Sequence, residues 1–118
     1  MEFVLTFQQP VAQLELHEDP VRGPVALEAW KHYMDALGAA GVMRGGARLA
    51  PPWTATTVRL RGEQRQVQDG PFADTHELLA GFIVIDVPSL DEALQWAARS
   101  PSSATGSTEV RPVMAGPK

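Results

Sequence analysis

Asp69-Gly70-Pro71-Phe72 opens the stretch of this chain best suited to chemistry, and Asp74, Thr75, His76 and Glu77 follow closely. Gly70 precedes a proline, which bars it from helix. Pro71 fixes its own φ and donates no hydrogen bond. The run is a stiff bend that aims Asp69 and Phe72 in set directions. A carboxyl held beside an apolar ring is desolvated, so its pKa rises toward the range useful for moving protons. Asp69 is therefore a candidate acid or base, with Phe72 as the ring that excludes water. An Asp that only accepts backbone bonds within a turn fits the same position. Glu77 is a candidate second carboxylate and Thr75 a candidate donor to a ligand. The spacing Asp74-x-x-Glu77 is also that of a helix cap.

Other side chains are weaker candidates. His76-Glu77-Leu78-Leu79-Ala80 begins like a zinc-protease helix, but Ala80 stands where the second histidine is needed. His17 sits in a charged stretch, and His32 lies off the apolar stripe of its helix, so the three histidines form no metal site by spacing. Gly38, Gly41, Gly45 and Gly46 lack the Gly-Lys-Ser/Thr ending of a phosphate loop, and no Gly-x-Ser-x-Gly is present. Trp30 and Trp96, at helical spacing, serve either a core or a ligand platform. Trp53, beside two prolines, suits a pocket rim or a subunit seam. Arg111 suits a carboxylate ligand or a cross-strand partner.

These residues need elements to hold them. Met1 to Gln8 alternates, with Phe3, Leu5 and Phe7 on one face and Glu2, Val4, Thr6 and Gln8 on the other, which predicts a strand. His17 to Pro24 reads as loop. Val25 to Ala40 reads as a helix with Leu27, Trp30, Met34 and Leu37 as its stripe and Gly41 as its stop. Val42 to Leu49 is a short strand in which Gly45-Gly46 signals a bulge or a close backbone approach. Thr54 to Arg61 and Gln64 to Gln68 form an edge hairpin about Gly62-Glu63. Thr75 to Ala80 reads as one or two helical turns, and Phe82 to Val87 as a central strand. Ser89-Leu90-Asp91-Glu92 is a capping box that starts a second helix, which Pro101 stops. Thr108 to Met114 is a last strand, and Pro112 places it at an edge.

Two β-α-β units with a hairpin insertion imply an α+β, ferredoxin-like domain over residues 1–114, with 115–118 as a tail. Two helices cover one face of an antiparallel sheet. The other face is left for a second copy, so a homodimer is expected. The chain has 118 residues, a length for one domain with a modest core. Net charge is −4 with no Lys/Arg cluster, which argues against nucleic-acid binding. No apolar stretch reaches membrane length, no basic leader precedes an apolar run, and there is no cysteine. A cytoplasmic protein without membrane contact, disulfides or thiol chemistry is expected.

Ala39-Ala40-Gly41-Val42, Leu49 to Thr57, Asp69 to Glu77, Gly81-Phe82, Asp86-Val87, Leu90 to Ala93, Trp96-Ala97 and Gly106 to Val113 together resemble the YCII-related family, in its branch named for Asp-Gly-Pro-Phe. The resemblance covers most of the chain. It implies a ferredoxin-like fold that dimerises into an α+β barrel, with a pocket between sheet and helices. It also implies relatives that are small lyases or dehydrochlorinases acting on ring compounds without a cofactor, and others encoded beside sigma factors. The wider family carries a His–Asp pair whose positions here are Trp30 and Ser100, so that pair is absent. His76 and Asp74 also replace the usual Lys and Glu.

The expected function is thus a cofactor-independent, lyase-like enzyme on a small, partly apolar ligand. Asp69 moves a proton, Glu77 or Thr75 positions the ligand, and Trp30, Phe72 and Arg111 line the site. No cofactor or metal is expected. A small-ligand binding module without turnover, or a dimeric partner of a regulatory protein, are the alternatives.

Overall fold

Alternation over the first ten residues produces strand β1 (Glu2–Pro10), with Phe3, Leu5, Phe7 and Gln9 buried on one face. The computed structural model describes residues 1–71 and 75–116, so Phe72 and Asp74 lie outside the described residues. After β1 come helices α1 (Val11–Glu18) and α2 (Arg22–Ala40), then strand β2 (Met43–Arg48). A short turn at Pro52–Thr54 leads to strands β3 (Thr56–Arg61) and β4 (Gln64–Asp69). Strand β5 (Glu77–Asp86), helices α3 (Leu90–Arg99) and α4 (Pro101–Thr105) and strand β6 (Ser107–Pro112) complete the chain.

The main sheet has the order β2-β5-β1-β6, and every neighbouring pair is antiparallel. This is the ferredoxin-like order produced by two interleaved β-α-β units. β1 pairs on both sides: Val4 lies opposite Val84 of β5 and opposite Arg111 of β6. Its inward side chains meet Ile83, Ile85 and Val87, and all pack beneath Tyr33 and Leu37 of α2 and Ala93 and Ala97 of α3. Phe3, Leu5, Leu37 and Ile85 are fully buried. Each contributes about 1.5–3 kcal/mol by leaving water.

The helical layer is larger than the sequence pattern implies. Two helices were expected on this face, and α1 and α4 add to them. α1 escapes sequence reading because Leu14 is its one buried residue, so its apolar periodicity is faint. The stretch read as loop from His17 to Pro24 is partly the entry to α2. The Asp19 carboxylate accepts hydrogen bonds from the backbone N–H groups of Val21 and Arg22 at 2.9 and 2.8 Å. Pro24 falls in the first turn, where a missing N–H costs nothing. Gly41 ends α2 in the left-handed conformation at φ 70°, as expected of a C-terminal glycine. Pro101 ends α3 but also begins α4, since its fixed φ suits a first helical turn.

Thr75 to Ala80 was expected to be helical and is not. Glu77 to Ala80 begin β5, paired as Pro10 with Glu77, Gln9 with Leu78 and Gln8 with Leu79. A ladder of backbone bonds to β1 overrides the local cap signal. At β2 the expected irregularity is present: the register against β5 shifts between Met43 and Gly45. Gly46 has φ 146°, and a side chain there would run into the backbone of Phe82 and Ile83.

β3 and β4 form a separate two-stranded hairpin about Gly62-Glu63. It stands off the body, and Val58, Leu60 and Val67 on one of its faces are 57, 65 and 53% exposed. The radius of gyration is 16.1 Å. A compact chain of this length has about 13.5 Å, and the projecting hairpin accounts for the excess.

Helix α3 is the best capped element. Ser89 is extended, and its Oγ accepts from the backbone N–H of Glu92 at 3.3 Å. Ser89→Ala is expected to lower stability by about 1 kcal/mol, read as a lower urea midpoint at unchanged slope.

Candidate functional site

A pocket of about 550 Å³ opens between the helices and the sheet. Leu14 and His17 of α1 and Leu27, Trp30 and Met34 of α2 form its roof and walls. Phe7 and Gln9 of β1 and the backbone around Gly46 and Gly81 form its floor. Gly46 and Gly81 allow β2 and β5 to approach closely here: a Cβ at Gly46 would meet the backbone of Phe82 and Ile83, and one at Gly81 the backbone of Ala47. Trp30 gives one wall its stiffness. Its ring meets Phe7 edge-on at 4.9 Å between centroids and Tyr33 at 6.1 Å.

The polar groups of the pocket are few. Arg48 and Glu18 line its exposed part. His17 is half-buried, and burial, helped by the nearby Arg48 guanidinium, holds its imidazole below the ordinary histidine value. The Gln13 side-chain nitrogen lies 3.4 Å from His17 Nε2. Gln9 has no exposed surface. Its Oε1 accepts from Thr105 Oγ1 at 2.7 Å, and its Nε2 has no partner among the described residues.

The positions singled out from sequence fall in three places within one chain. Trp30 is in the pocket. Asp69, the last residue of β4, is exposed rather than enclosed, and lies opposite Thr56 at the base of the hairpin. The bend after it is held by Gly70, whose N–H donates to Ala55 O at 2.7 Å and whose carbonyl accepts from Thr57 Oγ1 at 2.9 Å. Thr75 is exposed, and its hydroxyl donates to the Glu77 carbonyl at 2.5 Å. Glu77 and Arg111 lie on the open face of the sheet, away from the helices. Glu77 Oε1 accepts from Ser107 Oγ at 2.5 Å, and Arg111 Nε lies 3.8 Å from Glu109 Oε1 on its own strand. Phe72 is outside the described residues.

The remaining positions are accounted for. Ser100 is buried among hydroxyls: its Oγ lies 3.0 Å from Ser102 Oγ and 2.8 Å from Thr108 Oγ1. Trp96 packs against the core and carries the Arg99 guanidinium over its ring at 4.3 Å. Tyr33 donates to the Trp96 carbonyl at 2.9 Å, and burial pushes its phenol up to about 12. His32 is exposed near Glu28. Among the described residues, no three His, Asp or Glu side chains stand close enough to share a metal ion. No helix there is long and apolar enough to cross a membrane.

The sequence matches the YCII-related domain over residues 2–115. The chain belongs to the YCII-related family. An uncharacterized protein of Rhizobium meliloti (strain 1021) is 47% identical over 76 residues, a stretch covering 63% of this chain and 61% of that protein. The fold is shared with 5-chloro-2-hydroxyhydroquinone dehydrochlorinase of Burkholderia phenoliruptrix AC1100, solved in complex with 2,5-dihydroxybenzoquinone. That likeness has a TM-score of 0.56 at 17% identity, over 98% of this chain and 96% of the other. At that identity it speaks for the fold alone.

Gln9, His17 and Arg48 were not found by sequence reading. A signal for Gln9 was present: it continues the Phe3-Leu5-Phe7 alternation with a polar residue. The His17 surroundings give a pH expectation. Its folded pKa lies below the unfolded value, so the folded state binds fewer protons as pH falls from about 6.5. The stabilisation is complete above that pH and is lost progressively below it. His17→Gln is expected to show a shallower fall in melting temperature between pH 7.5 and 5.5 than the parent chain.

Proposed function

We propose that the chain binds a small, partly apolar ring compound in the pocket beneath α1 and α2. The observation that carries this is the pocket itself: about 550 Å³, mostly apolar, with one aromatic wall and a few polar groups. That is the usual make-up of a small-molecule site. A volume of this order suits a single substituted ring.

A second reading makes the protein a cofactor-independent enzyme of the lyase kind. The His17 ring supports it, since an imidazole neutral at pH 7 is ready to accept a proton. In such a step the ring takes a proton from the ligand, the released electron pair forms a double bond, and a leaving group departs with its own pair. The dehydrochlorinase of the same fold supports the reaction class by analogy only.

The open face of the sheet bears on assembly. Val4, Leu79, Phe82 and Val84 form an apolar strip along its middle, bordered by Glu77, Glu109 and Arg111. We infer a homodimer that packs these faces together. Asp69, Thr75, Glu77 and Arg111 act in our reading only in that assembly, where exposed carboxylates at a seam become desolvated and able to move protons.

Thermal melting across a panel of phenols, hydroquinones and benzoquinones tests the binding reading. A ligand at a hundredfold its Kd adds about 2.7 kcal/mol, which raises Tm by several degrees. Filling the pocket with the double variant Leu27→Trp, Met34→Trp should abolish that rise; a rise that survives the filling would place the ligand elsewhere. For the dimer, Val84→Glu is expected to convert the sedimentation pattern to monomer at micromolar concentration. A parent chain already monomeric there would defeat the assembly.

A further inference from the structure

Gln9 is the feature that the core leaves unexplained. It stands in the inward register of β1, directly after Phe3, Leu5 and Phe7, and no part of it is exposed. It belongs to the wall of the pocket. An amide carries two polar ends, and burial of either without a partner is unfavourable. One end is satisfied. The contact of 2.7 Å to Thr105 Oγ1 has the length of an O–H···O bond, shorter than usual for N–H···O. The other acceptor within reach of that hydroxyl, the Pro101 carbonyl, is 3.3 Å away, so the short contact takes the proton. Oε1 therefore faces Thr105, and Nε2 is the end left over, with no partner among the described residues. A leucine would fill the same space without that cost.

We propose that Gln9 Nε2 anchors the ligand by donating a hydrogen bond to an acceptor oxygen on the edge of the ring that enters first. This inference rests on the pocket being the binding site. It narrows the ligand to ring compounds bearing a carbonyl or phenolate oxygen, such as quinones and ionised phenols. Hydrocarbons of the same shape leave the donor unpaired and bind less well. Thr105 acts as a positioning residue, because its bond to Oε1 fixes which end of the amide is left without a partner among the described residues. The side chain has three rotatable bonds, so a small swing about its outer bonds brings Nε2 to the pocket surface as the ligand arrives. Trp30 forms a wall of the same pocket and offers a flat surface against the ring.

The probes are 2,5-dihydroxybenzoquinone, which carries such oxygens, and p-xylene, which matches the ring without them. Isothermal titration should show the quinone binding the parent chain. Gln9→Leu should weaken it by about tenfold or more, with p-xylene binding unchanged or tighter and Tm held or raised. Thr105→Val should weaken the quinone less, since the amide remains but turns more freely. In the parent chain, the Gln9 side-chain amide signals in a 15N-labelled NMR spectrum should move on quinone addition, a readout that needs no variant. If the quinone binds Gln9→Leu as tightly as the parent, while the double Trp filling of the pocket abolishes binding, the anchor is overturned and the pocket stands. If the filling leaves quinone binding intact, or neither probe binds, the pocket reading falls and the anchor falls with it.

Discussion

The double pairing of β1 is the constraint from which the rest follows. β5 and β6 bond to its two edges, so none of its residues can change face without breaking a ladder. A slip of one residue would expose Phe3, Leu5 and Phe7 together. At about 1.5–3 kcal/mol for each buried side chain, the register is strongly held. It commits Ile83 and Ile85 to the helices and Val4 and Val84 to the opposite side. It also commits Gln9 inward, where an amide is the least comfortable member of the row.

The helical layer meets this fixed sheet unevenly. Over β1 and β5, α3 brings Ala93 and Ala97, small enough for close approach, and Tyr33 and Leu37 fill the space beside them. Tyr33 also ties α2 to α3 through the Trp96 carbonyl. Toward β2 the support stops. The strand offers Gly45 and Gly46 in place of large side chains, and Leu27 and Met34 of α2 stand over a gap. α1 closes one side of that gap with Leu14 and His17. The pocket is thus the unfilled part of the interface that makes the core.

Much of this was legible in the sequence, and the failures have physical causes. The β1 alternation, the α2 stripe, the Gly41 stop, the Ser89 cap and the irregular β2 each follow from a local rule that the tertiary structure leaves alone. α1 was missed because it buries almost nothing, so its pattern carries little amplitude. Glu77 to Ala80 were misread because pairing with Gln8 to Pro10 decides their conformation, and a pairing of such distant segments leaves no local trace. The site was harder still. The eye goes to charged and unusual residues, such as those about Asp69, whereas the pocket is lined mostly by ordinary apolar residues of β1, α1 and α2. Its most telling polar group is an ordinary glutamine in an apolar row.

The two groups of candidate residues depend on assembly in different ways. The pocket with Gln9, His17 and Trp30 is enclosed by elements of one chain, so its ligand contacts are available to a monomer. Asp69 and Arg111 are exposed in that chain, and Glu77 lies on its open sheet face. In water, charges at such positions interact weakly, so they have little to offer a reaction until something covers them. The same chain leaves Leu79 on the sheet and Val58, Leu60 and Val67 on the hairpin exposed, with Val4, Phe82 and Val84 half-buried on the same sheet face. Apolar area and acidic side chains thus lie uncovered together, and a surface that hides the first also dries the second. Dilution separates the two cases: binding confined to the pocket is indifferent to protein concentration, whereas chemistry that needs the proposed dimer falls with the square of it where that assembly dissociates.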